Sequence, residues 1–303
     1  MKAFNIKHPI VKRIYKYKSF YLIFLPVFLF YFVFCYIPMY GAKMAFWEYG
    51  LFGPTKYIGF DNFYRLFQSK DFITSFKNTL LISGINLVIG MFLSIIFALL
   101  LNEVRNIAFK KLVQTVVFLP YFFSWVVVAA VFTLILSPDY GFVNAIIEGL
   151  GGEKFNFLIN EKAWMWVFIA ISRWKETGYA IVIYIAALSN IDPTLYEASS
   201  IDGANRLKQT FNITIPSLMP TILTILILES AKILNIFEPI LVLQNPLVYQ
   251  VSDVIGTYTY RVGLVQGDYA YAAAVGLFKS VMSLILVIIA NSLSKRVRNS
   301  SVL

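Results

Sequence analysis

Tyr196-Glu197-Ala198-Ser199-Ser200-Ile201-Asp202-Gly203-Ala204, continued by Phe211-Asn212-Ile213-Thr214-Ile215-Pro216, is a polar island between two long apolar stretches. It reads as helix, glycine turn, helix, proline. Glu197 and Ala198 open a short helix, Gly203 supplies the positive φ of a C-terminal turn, and a second helix runs to Pro216, which pre-sets the start of the next apolar stretch. Small residues at Ala198, Ser199, Gly203 and Ala204 let another backbone approach. Arg206 and Lys208 place the segment, about residues 190–216, on the cytoplasmic side of a membrane. It is built as a docking element for a cytosolic protein.

Working outward, 59% of the 303 residues are hydrophobic and 14% are charged, too little polar surface to coat a soluble globule of this length. The expectation is an all-α integral membrane protein. Six apolar spans can be drawn, near residues 19–41, 79–101, 114–136, 163–187, 217–241 and 271–293. Of the Lys and Arg outside them, 14 fall on the N-terminal arm, the alternate loops and the tail, against 8 on the opposite loops. The positive-inside rule therefore sets both termini in the cytoplasm. The domains expected are a basic arm over 1–18, the six-helix unit over 19–293 and a tail over 294–303.

The net charge of +10 is concentrated at that cytoplasmic face, where anionic lipid headgroups are its natural partner and nucleic acid is not called for. The first apolar run is too long for a signal-peptide core and reads as a retained span. Cys35 is the single cysteine and His8 the single histidine, which excludes an internal disulfide, a His-based triad and a zinc site. Phosphate-loop spacing is absent, so ATP is not bound here in the usual way. In the loop from Gly53 to Asn78, Asp61 caps one short amphipathic helix bearing Phe63, Leu66 and Phe67, and Asp71 a second with Phe72 and Phe76.

Charges also fall inside the spans. The fourth contains Arg173, Trp174, Lys175 and Glu176, with Tyr179 close by; the fifth contains Glu229, Lys232, Asn235 and Glu238 at intervals of three, a stripe drifting by ~60° per step; the sixth contains Lys279. A charge at the centre of a span costs roughly 2.5–3.5 kcal/mol, so these residues face protein or water. Antiparallel spans bring Lys175 and Glu229 to similar depth. Two roles are open to the set. The charges can neutralise one another and hold the bundle together, or they can line an aqueous path and bind a polar substrate, with Trp174 or Tyr179 offering it an aromatic face. Tyr258 and Tyr260 are candidates for the outer end of that path, or members of an interfacial belt. The surplus of Lys and Arg suits an acidic substrate, although acids in the same spans can pair most of it.

The Glu-Ala-Ser, Asp-Gly-Ala and Ile-Thr-Ile-Pro elements of the opening segment resemble the Glu-Ala-Ala, Asp-Gly-Ala, Ile-x-Leu-Pro loop of permease subunits in binding-protein-dependent ABC importers. Ser199 and Ile215 are the departures, and both conserve size or apolarity. The likeness runs through Leu101–Arg105, Phe118-Leu119-Pro120, Trp174–Gly178, Asn245–Tyr249 and Gly276–Ser280, and is greatest to the oligosaccharide and polysaccharide branch. It implies a six-span type I permease fold with a coupling helix that enters a groove on a cytoplasmic ATPase. Glu197 would orient that helix, and Asp202 and Gly203 would form its bend. It implies further a second homologous permease, two ATPase subunits that bind the ATP and Mg, an external solute-binding protein and an oligosaccharide substrate, in a bacterial cell membrane. The competing classes are an ion-coupled secondary sugar transporter and a membrane enzyme using Glu176, Glu229 or Glu238 on a glycolipid. Neither accounts for the docking segment.

Overall fold

A computed structural model describes residues 13, 15–50 and 53–298. Most of the basic N-terminal arm and the last residues of the tail lie outside these. The elements in chain order are α1 (Lys18–Phe46), β1 (Trp47–Gly50), β2 (Gly53–Tyr57), α2 (Asp61–Gln68), α3 (Lys70–Glu103), α4 (Ile107–Phe122), α5 (Trp125–Ile135), α6 (Phe142–Gly149), α7 (Glu161–Leu188), α8 (Pro193–Ile201), α9 (Arg206–Asn235), α10 (Glu238–Leu243), α11 (Ile255–Tyr260) and α12 (Tyr269–Arg298). Among the described residues, four continuous helices, α1, α3, α9 and α12, are long and apolar enough to cross a bilayer, and two bent pairs, each taken as one span, bring the number to six.

Several expectations are corrected. The third span is not one helix: α4 and α5 meet at 102°, because Pro120 tightens the end of α4 into a 3-10 turn and Ser124 caps a fresh helix. The fifth span begins at Arg206, and Pro216 lies inside it instead of starting it. A π turn at Thr210–Thr214 just before the proline accommodates its missing N–H. The same span stops at Asn235, where Ile236 turns extended, and α10 starts afresh at Glu238 with Pro239 in its first turn. Glu238 therefore starts another helix, and the slanting stripe ends at Asn235.

Asp71 does not cap a separate short helix; Ser69 does the capping, its hydroxyl accepting from Phe72 N–H at 3.2 Å, and the helix it opens is the second span itself. Asp61 occupies the first turn of α2 without making a cap hydrogen bond. β1 and β2 form an antiparallel hairpin in which the Trp47 and Tyr57 rings meet edge-on at 5.5 Å.

Lipid tails are as apolar as Leu, so helices in a bilayer gain little hydrophobic energy from each other and associate through close packing and interhelical hydrogen bonds. The α3–α7 interface rests on close packing, while α3 makes its interhelical hydrogen bonds to the segment at Asp253–Ile255. Ser75, Thr79, Ser83, Gly90, Ser94 and Ala98 form a buried small-residue seam on α3, and Ser172, Lys175, Thr177 and Gly178 are buried on α7. A Cβ at Gly178 would fall on the Val117 carbonyl oxygen of α4, so only glycine permits that approach. Larger side chains fill in on either side: Trp164 stacks on Phe168 at 5.5 Å in one apolar cluster, and Ala98, Leu101, Ile181 and Leu218 pack in another. The apolar stretch of α1 has no buried residue, while the far end of the helix, Tyr40–Phe46, packs on α12 and buries Ala45.

Candidate functional site

The opening segment folds as a stiff hairpin. α8 starts at Pro193, earlier than Glu197, because Asp192-Pro193 combines a capping carboxylate with a residue suited to the first helical position. Asp192 Oδ1 accepts from Thr194 N–H at 2.9 Å, and hydrogen bonds from the backbone and side chain of Thr194 hold this carboxyl below its ordinary pKa. Gly203 has φ +76°; Gly203 N–H donates to Ser200 O at 3.1 Å and Ala204 N–H to Ser199 O at 2.9 Å. That pair of bonds closes the helix in a Schellman turn, which needs the left-handed residue only glycine supplies without strain. Asn205 then caps α9, accepting from Lys208 N–H at 2.9 Å.

Two contacts absent from the sequence reading lock the hairpin. Buried Gln209 donates to the hydroxyls of Ser199 at 3.0 Å and Ser200 at 2.9 Å, and Tyr196 Oη lies 2.9 Å from Thr214 Oγ1. Both hydroxyls of Ser199 and Ser200 in turn donate to Tyr196 O. Glu197, Ala198 and Asp202 are exposed, Ala204 is half-buried, and Pro216 is exposed on α9. Ile201 at 87% and Leu207 at 69% relative exposure give the tip an apolar surface that no described residue covers. α8 leaves α7 at 70°, so movement of the hairpin would act on the inner end of a span.

In the membrane, α7 and α9 bring the charges together. Arg173 Nη2 donates to Glu176 Oε2 at 2.8 Å, and Lys232 Nζ to Glu229 Oε1 at 2.7 Å. Glu229 and Lys232 lie near enough to Glu176 for their charges to act on it, so the two pairs form one cluster. The Arg173 guanidinium crosses α3 at Gly90, where any Cβ would collide with it. Lys175 is turned away from Glu229. It is buried, donates to Tyr121 O at 3.0 Å and sits 5.3 Å and 5.4 Å from the Tyr121 and Trp125 ring centroids. A cation at that carbonyl caps the end of α4 at the bend, where no helical N–H follows to satisfy it.

Trp174 and Tyr179 are exposed on the same helix. Trp174 meets Phe132 edge-on at 5.3 Å, and Tyr179 stacks on Tyr121 at 4.8 Å. Asn235 is exposed and donates to Ala231 O at 3.1 Å, and Glu238 is exposed at the start of α10. Lys279 is half-buried midway along α12.

At the other end of the bundle, Tyr258 is buried, its hydroxyl 3.2 Å from Ser69 Oγ and 3.0 Å from Tyr271 Oη, whereas Tyr260 is exposed and packs on Phe237. Asp253 gathers the loops there, accepting from Arg261 at 2.6 Å, Thr257 at 2.7 Å and Ser75 at 3.0 Å. Burial works to lower the Arg261 pKa, but the hydrogen bond and charge of Asp253 outweigh it and hold the guanidinium above its ordinary value.

Residues 90–299 match the family model described as binding-protein-dependent transport system inner membrane component. The chain is 41% identical to the polygalacturonan/rhamnogalacturonan transport system permease protein YteP of Bacillus subtilis (strain 168), over 92% of this chain and 88% of that one. It is 28% identical to the arabinooligosaccharides transport system permease protein AraP of the same organism, over 90% and 88%. Its fold superposes with a TM-score of 0.90 and 38% identity on a chain in the crystal structure of a bacterial ABC transporter involved in the import of the acidic polysaccharide alginate, covering 96% of this chain and 100% of that one. The same score and identity hold for the bacterial alginate ABC transporter in complex with an alginate pentasaccharide-bound periplasmic protein. With these matches spanning most of its length, the chain belongs to the family of binding-protein-dependent transport system inner membrane components.

Proposed function

We propose that this chain is the permease subunit of an ATP-driven importer and carries acidic oligosaccharide fragments delivered by an external solute-binding protein. The observation that carries the reading is the hairpin: a Gly203-closed, Gln209-locked knob with bare Ile201 and Leu207 at its tip, joined at an angle to a span that holds the mid-membrane charges. A rigid knob of this kind transmits a push, and this chain has no phosphate loop with which to generate one. Its counterpart is a cytoplasmic ATPase. Two such ATPases would hold the ATP and Mg, and a second homologous permease would complete the pathway, with both termini of this chain in the cytoplasm.

The acidic class is drawn from the more similar relatives, named for polygalacturonan, rhamnogalacturonan and alginate, in preference to the arabinooligosaccharide permease at 28% identity, and it agrees with the cationic bias of the spans. In the cycle we infer, closure of the ATPase dimer moves both knobs and turns the sugar site outward; hydrolysis turns it inward. Arg173, Glu176, Glu229, Lys232 and Asn235 line the path. Trp174 and Tyr179 are both exposed but lie about 140° apart around α7, so one of the two offers the path an aromatic face. The test is uptake of labelled oligogalacturonate into proteoliposomes holding the whole complex and its binding protein. Uptake that requires ATP and ignores ion gradients supports the reading. Ion-driven uptake by this chain alone would replace it with a secondary transporter.

A further inference from the structure

Four cations lie deep within the spans: Arg173, Lys175, Lys232 and Lys279. Three are satisfied by the protein, two by glutamates and Lys175 by a carbonyl and two rings. Lys279 differs. All 16 acidic residues of the chain are among the described residues, and none pairs with it; nor does it make a hydrogen bond to any described residue. An unpaired ammonium held ten residues, or ~15 Å, inside a span is costly unless something outside this chain compensates it.

The helical wheel of α12 shows where it points. At ~100° per residue, the core-packed positions Tyr271, Val275, Phe278 and Met282 centre about 70° from Lys279. The exposed apolar positions Val281, Leu284 and Ile288 centre about 170° away, on the lipid side. Lys279 thus faces away from lipid, beside Gly276, where an added Cβ would meet no atom within 4 Å. None of this chain's acids approaches it there.

We propose that Lys279 is the residue that reads the substrate's carboxylates, pairing with uronate groups as the glycan passes. This rests on the acidic-glycan reading above. The paired charges of α7 and α9 are left to bind hydroxyls, for which neutral sugars and uronates are equivalent. An ammonium facing a carboxylate away from bulk water makes a charge-assisted hydrogen bond, and its loss weakens binding by about 10- to 100-fold.

The experiment uses the whole complex in proteoliposomes with short uronate oligomers and their methyl-esterified, uncharged counterparts. Lys279→Gln should raise KM for the acidic form by about 10- to 100-fold, leave the ester and the assembly yield unchanged, and Lys279→Arg should keep uronate transport near wild type. An equal loss for both forms, no loss for either, or failure of the Lys279→Gln complex to assemble would overturn the proposal, the last by showing that Lys279 pairs with an acid of another subunit. If the wild-type complex moves neither form, the acidic-glycan reading itself has failed and the assignment of Lys279 falls with it.

Discussion

Arg173 shows what a single side chain owes to its neighbours. Its pairing with Glu176 could be read from their helical spacing of three, and the structure has it at 2.8 Å. Its seat could not. Gly90 is one glycine among 16 in the sequence, and what it makes room for becomes visible only when α3 and α7 are packed together. Gly90→Ala should displace the guanidinium, with a loss of about 1–3 kcal/mol in thermal stability of the complex. Shortening the arginine in the double variant Gly90→Ala/Arg173→Gln should recover part of that loss, measured as a double-mutant cycle of melting temperatures; strictly additive losses would mean the two residues do not meet. Lys175 teaches a complementary lesson. Its depth was legible but its partner was not, because a carbonyl freed by a bend leaves no mark in the side-chain sequence. Lys175→Met should loosen the α4–α5 bend and lower the melting temperature by more than Lys232→Met, whose removal leaves an exposed glutamate in reach of solvent.

At the scale of elements, long apolar runs were read well and their interruptions less so. Pro239, Pro120 with Ser124, and the Asp192-Pro193 start were all present as residues, yet the hydropathy of the surrounding windows outweighed them. The Gly203 turn was legible because a left-handed residue after a short helix has a distinct chemistry; the Gln209 lock was not, since it depends on α9 folding back over α8. The cap of α8 makes a pH prediction. Asp192 has a lowered pKa in the folded chain, so its capping contribution is complete above the unfolded value of 3.8 and is lost as pH falls through the lower, folded one. A spin label at Ile201→Cys, in a Cys35→Ser background, should stay immobile at neutral pH and gain mobility only in that acidic range; Asp192→Ala should show the raised mobility at neutral pH. A label equally immobile in both proteins would mean that the cap does not hold the helix.

For the molecule as a whole, six spans and a projecting knob were legible because both follow from one-dimensional patterns, apolar length and turn chemistry. The route a sugar takes was not, because it depends on which faces of α7, α9 and α12 turn toward each other and which stay bare. The account makes the hairpin a rigid lever between a cytoplasmic ATPase and the charged cluster. Gly203→Val keeps every side chain of the knob but forces a β-branched residue to φ +76°, a strain of about 1–2 kcal/mol that should open the Schellman turn. The decisive measurement is ATPase activity of the nanodisc complex purified through a tag on this chain, with and without binding protein and uronate oligomer, alongside sugar uptake by the same complex in liposomes. The account predicts that sugar-loaded binding protein stimulates wild-type hydrolysis, and that Gly203→Val retains basal hydrolysis while losing both stimulation and uptake. Stimulation and uptake at wild-type levels in Gly203→Val would contradict the lever.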